Sequence, residues 1–159
     1  MSAPDVRAHS AVHVLKGALI SVLGAHWTAS VHVSGTYGRL TVQFERKPGE
    51  EEIRLAEARA NAKVDENAEV LEFEMEREEA EMHFGKGIYD LFPVPEGVKH
   101  LRLVRIPDWE INCCAERHVQ STAEVGHLEI TGARFRPSKK LLEIEFRVAE
   151  TTRAEPASA

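Results

Sequence analysis

Val6-Arg7-Ala8-His9-Ser10-Ala11-Val12-His13-Val14-Leu15-Lys16-Gly17-Ala18-Leu19-Ile20-Ser21-Val22-Leu23-Gly24 reads as one helix closed by a glycine. Its apolar residues are not confined to a stripe. Val12, Leu15, Leu19, Val22 and Leu23 are joined by Val14, Ala18 and Ile20 on other faces. A helix apolar nearly all round is a buried helix, so this one is expected to run through the middle of the domain. His9 and His13 ride on it four residues apart. Positions i and i+4 share a helix face, so both imidazoles can aim at one interior point. Met1 to Val6 reads as a loose end, with Asp5 the expected N-cap.

Working outward, the residues that follow alternate as strands. Thr28 to Ser34 places Val31 and Val33 against His32 and Ser34, Gly35-Thr36-Tyr37-Gly38 reads as a turn, and Leu40, Val42 and Phe44 alternate on the return strand. Glu50 to Asn67 is an amphipathic helix with Ile53, Ala56, Ala60 and Val64 inward. Val70 to Met75 is a strand, Arg77 to Phe84 a short acidic helix stopped by Gly85, and Ile88 to Gly97 a proline-marked loop. Leu101 to Ile106 is a strand, and Asp108 to Arg117 is read only as an approach to a second group of polar residues. Glu124 to Phe135 and Lys140 to Val148 form a last hairpin turning at Pro137-Ser138. The fold class predicted is α+β: a curved antiparallel sheet of about six strands around the buried N-terminal helix, with further helices outside. Residues 1–148 are expected to form a single domain, and 149–159, rich in Thr, Ala and Ser, a disordered tail.

A chain of 159 residues with 43% hydrophobic residues can bury one core. Its two cysteines are adjacent and cannot build a disulfide framework, and no leader-like stretch opens it, so a reducing, cytoplasmic setting is expected. The most apolar stretch, Ala8 to Ala25, is interrupted by two histidines, Lys16 and Gly17 and does not read as membrane-spanning. The net charge of −6 argues against nucleic acid at first sight. Residues 50–82, however, hold 13 of the 26 acids and 4 of the 20 bases, a net of −9, which leaves +3 on the rest. An RNA-facing surface is compatible with that division if the acidic stretch faces away. Arg134, Arg136, Lys139 and Lys140 crowd the tip of the last hairpin and are the candidate phosphate contacts, the alternative being a solubilising tip.

The second polar group is Cys113-Cys114-Ala115-Glu116-Arg117-His118-Val119-Gln120-Ser121-Thr122-Ala123-Glu124-Val125-Gly126. Cys114 and His118 repeat the four-residue spacing with a thiolate and an imidazole. Such a set suits zinc, whereas magnesium and calcium want oxygen. Cys113 lies five residues from His118, off that face, so Cys114 is the expected ligand. The alternative is a pair of hydrogen-bonded core histidines and a small buried cysteine. A metalloprotease reading is poor, because that motif needs a glutamate where Ser10 stands.

His9-x-x-x-His13, Cys114-x-x-x-His118-Val119 and Thr122-x-Glu124-x-Gly126 together resemble the AlaX family of free-standing aminoacyl-tRNA editing proteins. The editing domains of alanyl-tRNA synthetases and, more loosely, threonyl-tRNA synthetases share the pattern. Arg7 to Gly17 and Tyr89-Asp90-Leu91-Phe92-Pro93-Val94-Pro95 are similar to the short, single-domain AlaX type, and the resemblance covers residues 7 to 148. Ala115, Glu116 and Ala123 stand where the synthetase domains usually carry glycines.

The resemblance implies one zinc ion on His9, His13, Cys114 and His118. It also implies hydrolysis of the ester joining an amino acid to the terminal ribose of tRNA, with mischarged seryl-tRNA(Ala) or glycyl-tRNA(Ala) as substrate. Two zinc roles compete: activation of a water, or anchoring of the substrate amino group. Competing functions are a zinc-stabilised module that binds tRNA or a protein without catalysis, and an editor of seryl-tRNA(Thr). The acceptor end of tRNA, and neither DNA nor a membrane, is the expected partner of a monomer or dimer. A pocket that admits serine cannot exclude the smaller alanine by size, so it must read the hydroxyl. Thr28, which with Trp27 matches a tryptophan-threonine pair of the short AlaX type, is the expected reader and is grouped with the four zinc ligands as the catalytic set. Ser30 and Asn112 are the further substrate-binding candidates.

Overall fold

The computed structural model describes residues 2–150. The long helix α1, Ala3–Leu23, starts earlier than its apolar pattern does. Its N-cap is Ser2, and Asp5 sits three positions inside. The Ser2 hydroxyl accepts from the Asp5 amide at 3.2 Å and the Asp5 carboxylate from the Ser2 amide at 3.1 Å. This reciprocal pair satisfies two of the amides a helix start leaves unbonded. Asp5 is therefore the far half of a capping box, not the cap, and residues 3–6 are helical, not loose. Gly24 closes the helix at φ 70°, a left-handed conformation that glycine adopts without cost. Every residue from Ala8 to Leu19 is buried, as the all-round apolar pattern requires.

The strands form two antiparallel sheets in place of one curved sheet of about six. β1 (Thr28–Ser34), β2 (Tyr37–Gln43), β6 (Leu128–Arg136) and β7 (Leu141–Val148) pair in the order β1-β2-β7-β6, and β3 (Leu71–Glu76), β4 (His100–Ile106) and β5 (Glu110–Cys113) pair as β3-β4-β5. The helices α2 (Glu50–Asp65) and α3 (Arg77–Phe84) complete the α+β domain. Alternation reveals strands but not their partners, and the four-residue β5 is too short to show a period, so the sequence pattern does not separate the two sheets. β4 is buried on both faces: Leu103 enters a small cluster with Ala80, Ile88 and Tyr89, while Val104 and Ile106 join the main core of α1, α2 and the larger sheet.

β1 is an edge strand, and its expected inward residue Val31 is 39% exposed. A bulge explains this. Thr28 pairs with Val42 but Ser30 with Thr41, so Ala29 is an extra residue between them. Bulges re-aim side chains, and here Thr28 turns inward, 2% exposed. At the other end of the chain, the carbonyl of Glu150 accepts from Arg7 at 2.9 Å, and that of Ala149 accepts from the same guanidinium. The rest of the expected tail, residues 151–159, lies outside the described residues. Among the described residues no helix is long and apolar enough to cross a membrane.

Candidate metal centre and adjoining pocket

His9 and His13 face the interior from α1, and the segment after β5 brings Cys114 and His118 to the same point. The four donor atoms lie within 4.8 Å of one another. His9 Nε2 is 3.1 Å from Cys114 Sγ, and His13 Nε2 is 3.2 Å from His118 Nε2. All four ligands expected from the sequence meet here. The reason expected for the second pair fails, however: residues 114–118 are irregular chain, not a helix. Their convergence is imposed from outside. The Cys114 amide donates to the Arg102 carbonyl at 3.0 Å, and the Val119 amide donates to the Ser10 hydroxyl at 2.9 Å. Ser10 in turn donates to the Val6 carbonyl, so it ties the ligand loop to the helix that carries both other histidines. The Thr122-x-Glu124-x-Gly126 motif has the same role. Thr122 Oγ1 accepts from the Ala68 amide and donates to the Lys63 carbonyl, and Glu124 accepts from the amides of Gln120 and Ser121.

Two carboxylates that sequence reasoning missed stand behind the histidines. His13 Nδ1 lies 2.9 Å from Glu110, and His118 Nδ1 lies 2.7 Å from Glu72. A carboxylate only accepts, so each Nδ1 donates to its carboxylate, and deprotonation at Nε2 would leave that nitrogen's lone pair facing the cluster, as metal ligation requires. Two facing lone pairs at 3.2 Å need a cation between them. Without a metal that cation is a proton: burial opposes it on His13, but the Glu110 charge and the hydrogen bonds to Cys114 and Glu110 raise the pKa to about 9. Burial also opposes the Cys114 thiolate, yet its hydrogen-bond contacts with the His118, His13 and His9 rings, together with the charge on His13, outweigh it and hold the pKa at about 3. Cys113 behaves oppositely: burial and the Asp90 charge push its thiol up to about 11. A tetrahedral zinc with bonds of about 2.0–2.3 Å separates its donors by about 3.3–3.7 Å, which the observed spacings bracket. The thiolate, the three imidazoles and their carboxylate supports fit a zinc-type ion.

Glu72 could not have been singled out, because it belongs to the acidic 50–82 stretch and alternates in β3 like its neighbour Glu74. Glu110 lies in the strand too short to recognise. Lys16 did carry a signal: a lone ammonium inside a helix read as buried needs a partner. Its Nζ lies 3.1 Å from Asp90 Oδ1 and 3.8 Å from Glu110 Oε1.

A pocket of about 180 Å³ opens beside the cluster, lined by His9, His13, Lys16, Thr28, Ser30 and Asn112 among others. The expected substrate residues therefore do gather, with different roles available to each. Thr28 Oγ1 is buried with no hydrogen-bond partner among the described residues. Asn112 has its amide engaged, donating to the Ile88 carbonyl and to Asp90 Oδ1. Ser30 is exposed at the rim. The four hairpin-tip cations are elsewhere in the chain but at the same end of the sheet, because Leu141 pairs with Gln43 and Val42 with Thr28. Arg136 is paired with Glu143 and Lys140 with Glu45.

The chain matches no protein-family model. The alanine–tRNA ligase of Saccharolobus islandicus is 37% identical to it over 126 residues, 79% of this chain and 14% of the ligase. That of Thermococcus kodakarensis is 36% identical over the same shares, and that of Sulfurisphaera tokodaii 38% identical over 77% of this chain and 13% of the ligase. The chain is homologous to a segment of the alanine–tRNA ligases. This bears out the kinship read from the two ligand stretches and is consistent with an AlaX-like domain. The chain spans about a seventh of the length of the curated relatives it matches, so this kinship is to a segment of the ligase and not to the whole enzyme.

Proposed function

We propose that this domain hydrolyses the ester of mischarged seryl-tRNA(Ala), releasing serine, with zinc held by His9, His13, Cys114 and His118. The observation that carries this reading is Thr28, which lines a small pocket opening on a four-donor cluster and whose buried Oγ1 has no hydrogen-bond partner among the described residues. An unpaired buried polar group costs about 1–3 kcal/mol, and a substrate hydroxyl relieves that cost. The relationship to alanine–tRNA ligases supports tRNA(Ala) as the carrier. A cytoplasmic setting goes with this role.

Each lining group then has a task. Thr28 bonds the serine hydroxyl. Ser30 meets the substrate at the pocket mouth. Lys16, oriented by Asp90 and Glu110, presents a buried positive charge to the ester carbonyl oxygen as it gains negative charge. Asn112 holds Asp90 in place. Zinc, when bound, supplies a Lewis acid that anchors the substrate amino group or polarises a water. The ester is activated, so positioning and charge stabilisation are the main demands on the protein.

A second reading has one observation in its favour. Four protein donors converge, and closed four-ligand zinc sites are usually structural. A non-catalytic tRNA- or protein-binding module would follow. Release of free serine from seryl-tRNA(Ala) by zinc-loaded protein decides between them. A rate above buffer supports the hydrolase, and a rate equal to buffer leaves the binding module.

A further inference from the structure

We infer that a second cavity, next to the first, holds the terminal nucleoside of the tRNA, with its base stacked on Trp27 and its ribose against Asp90. This rests on the hydrolase reading and adds to it the place of the nucleoside that carries the ester.

The cavity measures about 450 Å³ and includes Trp27, Tyr89, Asp90 and Leu91 in its lining. Two features join it to the smaller pocket. Asp90 lines both, and Trp27 of the one is covalently adjacent to Thr28 of the other. The Leu91 amide also donates to the Thr28 carbonyl at 2.8 Å, which fixes the wall between them. An aminoacyl ester has the same two-part shape: a small acyl group joined through one oxygen to a much larger nucleoside. The larger cavity adjoins the smaller one through Asp90 and the Trp27–Thr28 peptide, as a nucleoside joined to an acyl group at Thr28 requires.

The chemistry of the lining suits a neutral nucleoside. Trp27 is 38% exposed, and the His26 ring packs nearly perpendicular to its indole at 4.8 Å between centroids. Every base has a π face that can stack on such a platform. Both Lys16 and Asn112 hydrogen-bond to Asp90 Oδ1, and no hydrogen bond to Oδ2 is found among the described residues. That oxygen belongs to a side chain 40% exposed, where a ribose hydroxyl can donate to it. A phosphate does not fit the interior. Glu81, Asp90 and Glu96 line the cavity, and the Arg77 guanidinium is engaged by Glu81 and the carbonyls of Val94, Pro95 and Val98. Lys86 is exposed at the rim, where the 5′ phosphate would emerge.

The test compares two esters of serine, seryl-tRNA(Ala) and serine methyl ester, the latter having no nucleoside. Stacking on an aromatic ring is worth roughly 5- to 150-fold per base. The ratio of kcat/KM for the two esters should therefore fall at least roughly 10-fold in Trp27→Leu, chiefly through KM, and recover to within about 3-fold in Trp27→Phe. In parallel, adenosine 5′-monophosphate titrated into the full-length protein should shift the amide resonances of Tyr89 and Leu91, and Trp27→Leu should abolish the shift. An unchanged ratio in Trp27→Leu overturns the inference. So does a loss that Trp27→Phe fails to restore. Binding of the mononucleotide with an unchanged ratio marks the cavity as a free-nucleotide site and also overturns it. A wild-type protein inactive on both esters overturns the hydrolase reading instead, and the titration alone then decides whether the cavity takes a nucleoside.

Discussion

His13 and His118 meet Nε2 to Nε2 at 3.2 Å, and each rests its Nδ1 on a carboxylate from a different strand, Glu110 of β5 and Glu72 of β3. The second sheet thus supports the ligands from behind, while α1 and the loop after β5 carry them. Zinc is expected at one ion per chain. Cys114→Ala should lose it in elemental analysis while Cys113→Ala retains it, because only Cys114 is held as a thiolate inside the cluster. Loss in Cys113→Ala with retention in Cys114→Ala would reverse the assignment.

Glu72→Gln removes the charge behind His118 without emptying the space. A carboxylate behind a ligand histidine raises its basicity, and losing it typically costs 10- to 100-fold in metal affinity. Glu72 is partly exposed, so the lower part of that range, about 10-fold, is expected in a chelator competition titration. An unchanged affinity would show that Glu72 only orders the loop through the His118 amide.

The buried helix and the two pairs of clustered donors were legible because each pair lies in one short stretch, whereas Thr28 entered through the resemblance to a tryptophan-threonine pair. The all-round apolar pattern of Ala8 to Leu19 demands burial, and the ligand types select the ion. What was hidden depends on long-range pairing. Glu72 and Glu110 look like any strand glutamates until β3, β4 and β5 pair, and the Cys114 to His118 turn is shaped by Arg102 and Ser10, not by its own sequence. Lys16 lay between these cases: its need for a partner was readable, but Asp90, 74 residues away, was not.

Gly17→Ala should destabilise the protein, against the usual rule for helices. Alanine in a helix interior ordinarily gains about 1 kcal/mol over glycine. Here a Cβ would sit 2.1 Å from Trp109 Nε1 and 2.4 Å from its Cδ1. The indole must move, which also strains its 2.9 Å hydrogen bond to the Val14 carbonyl. Overpacking of this kind costs about 1–3 kcal/mol, so the net effect is expected to be a loss of about 1 kcal/mol, measured as a lower denaturant midpoint. A higher midpoint would mean that Trp109 yields freely.

Glu52 gives an acid-side signature. Its hydrogen bonds from Arg46 and from the Gly49 amide hold its carboxyl at about 2, below the ordinary 4.5. A depressed carboxylate pKa stabilises the fold above the unfolded value and loses that contribution as pH falls through the folded one. The Tm advantage of the wild type over Glu52→Gln should be complete above about pH 4.5 and fade toward pH 2. The pair is exposed, so low salt is needed to see it. A difference independent of pH would assign the effect to helix capping alone.

The hairpin tip makes a salt-dependent prediction. If Arg134, Arg136, Lys139 and Lys140 neutralise phosphates, removing them flattens the dependence of log affinity on log salt by about 0.7–0.9 for each phosphate left without its cation. Arg136 and Lys140 already have carboxylate partners, so the slope of the quadruple alanine variant should drop by less than four cations' worth. An unchanged slope would remove this tip from the tRNA-facing surface.

Thr28→Val tests how serine is told from alanine. The exchange keeps a β-branched shape on the bulge of β1 and deletes only Oγ1, which has no partner among the described residues. Among the described residues no hydrogen bond is lost, so stability and zinc content should hold or rise slightly. The wild-type pocket binds alanine at the cost of leaving Oγ1 unpaired, and serine relieves that cost. A site built to bond a hydroxyl rejects the analogue lacking it far more strongly than a missing methylene would predict. In the variant that penalty is gone for alanine and the bond is gone for serine. The seryl-over-alanyl ratio of kcat/KM should therefore narrow by about 10-fold or more, mostly through loss on seryl-tRNA(Ala). If the ratio survives, the hydroxyl is read by another group, and Ser30 at the pocket mouth is the next to remove, since the Asn112 amide is already engaged.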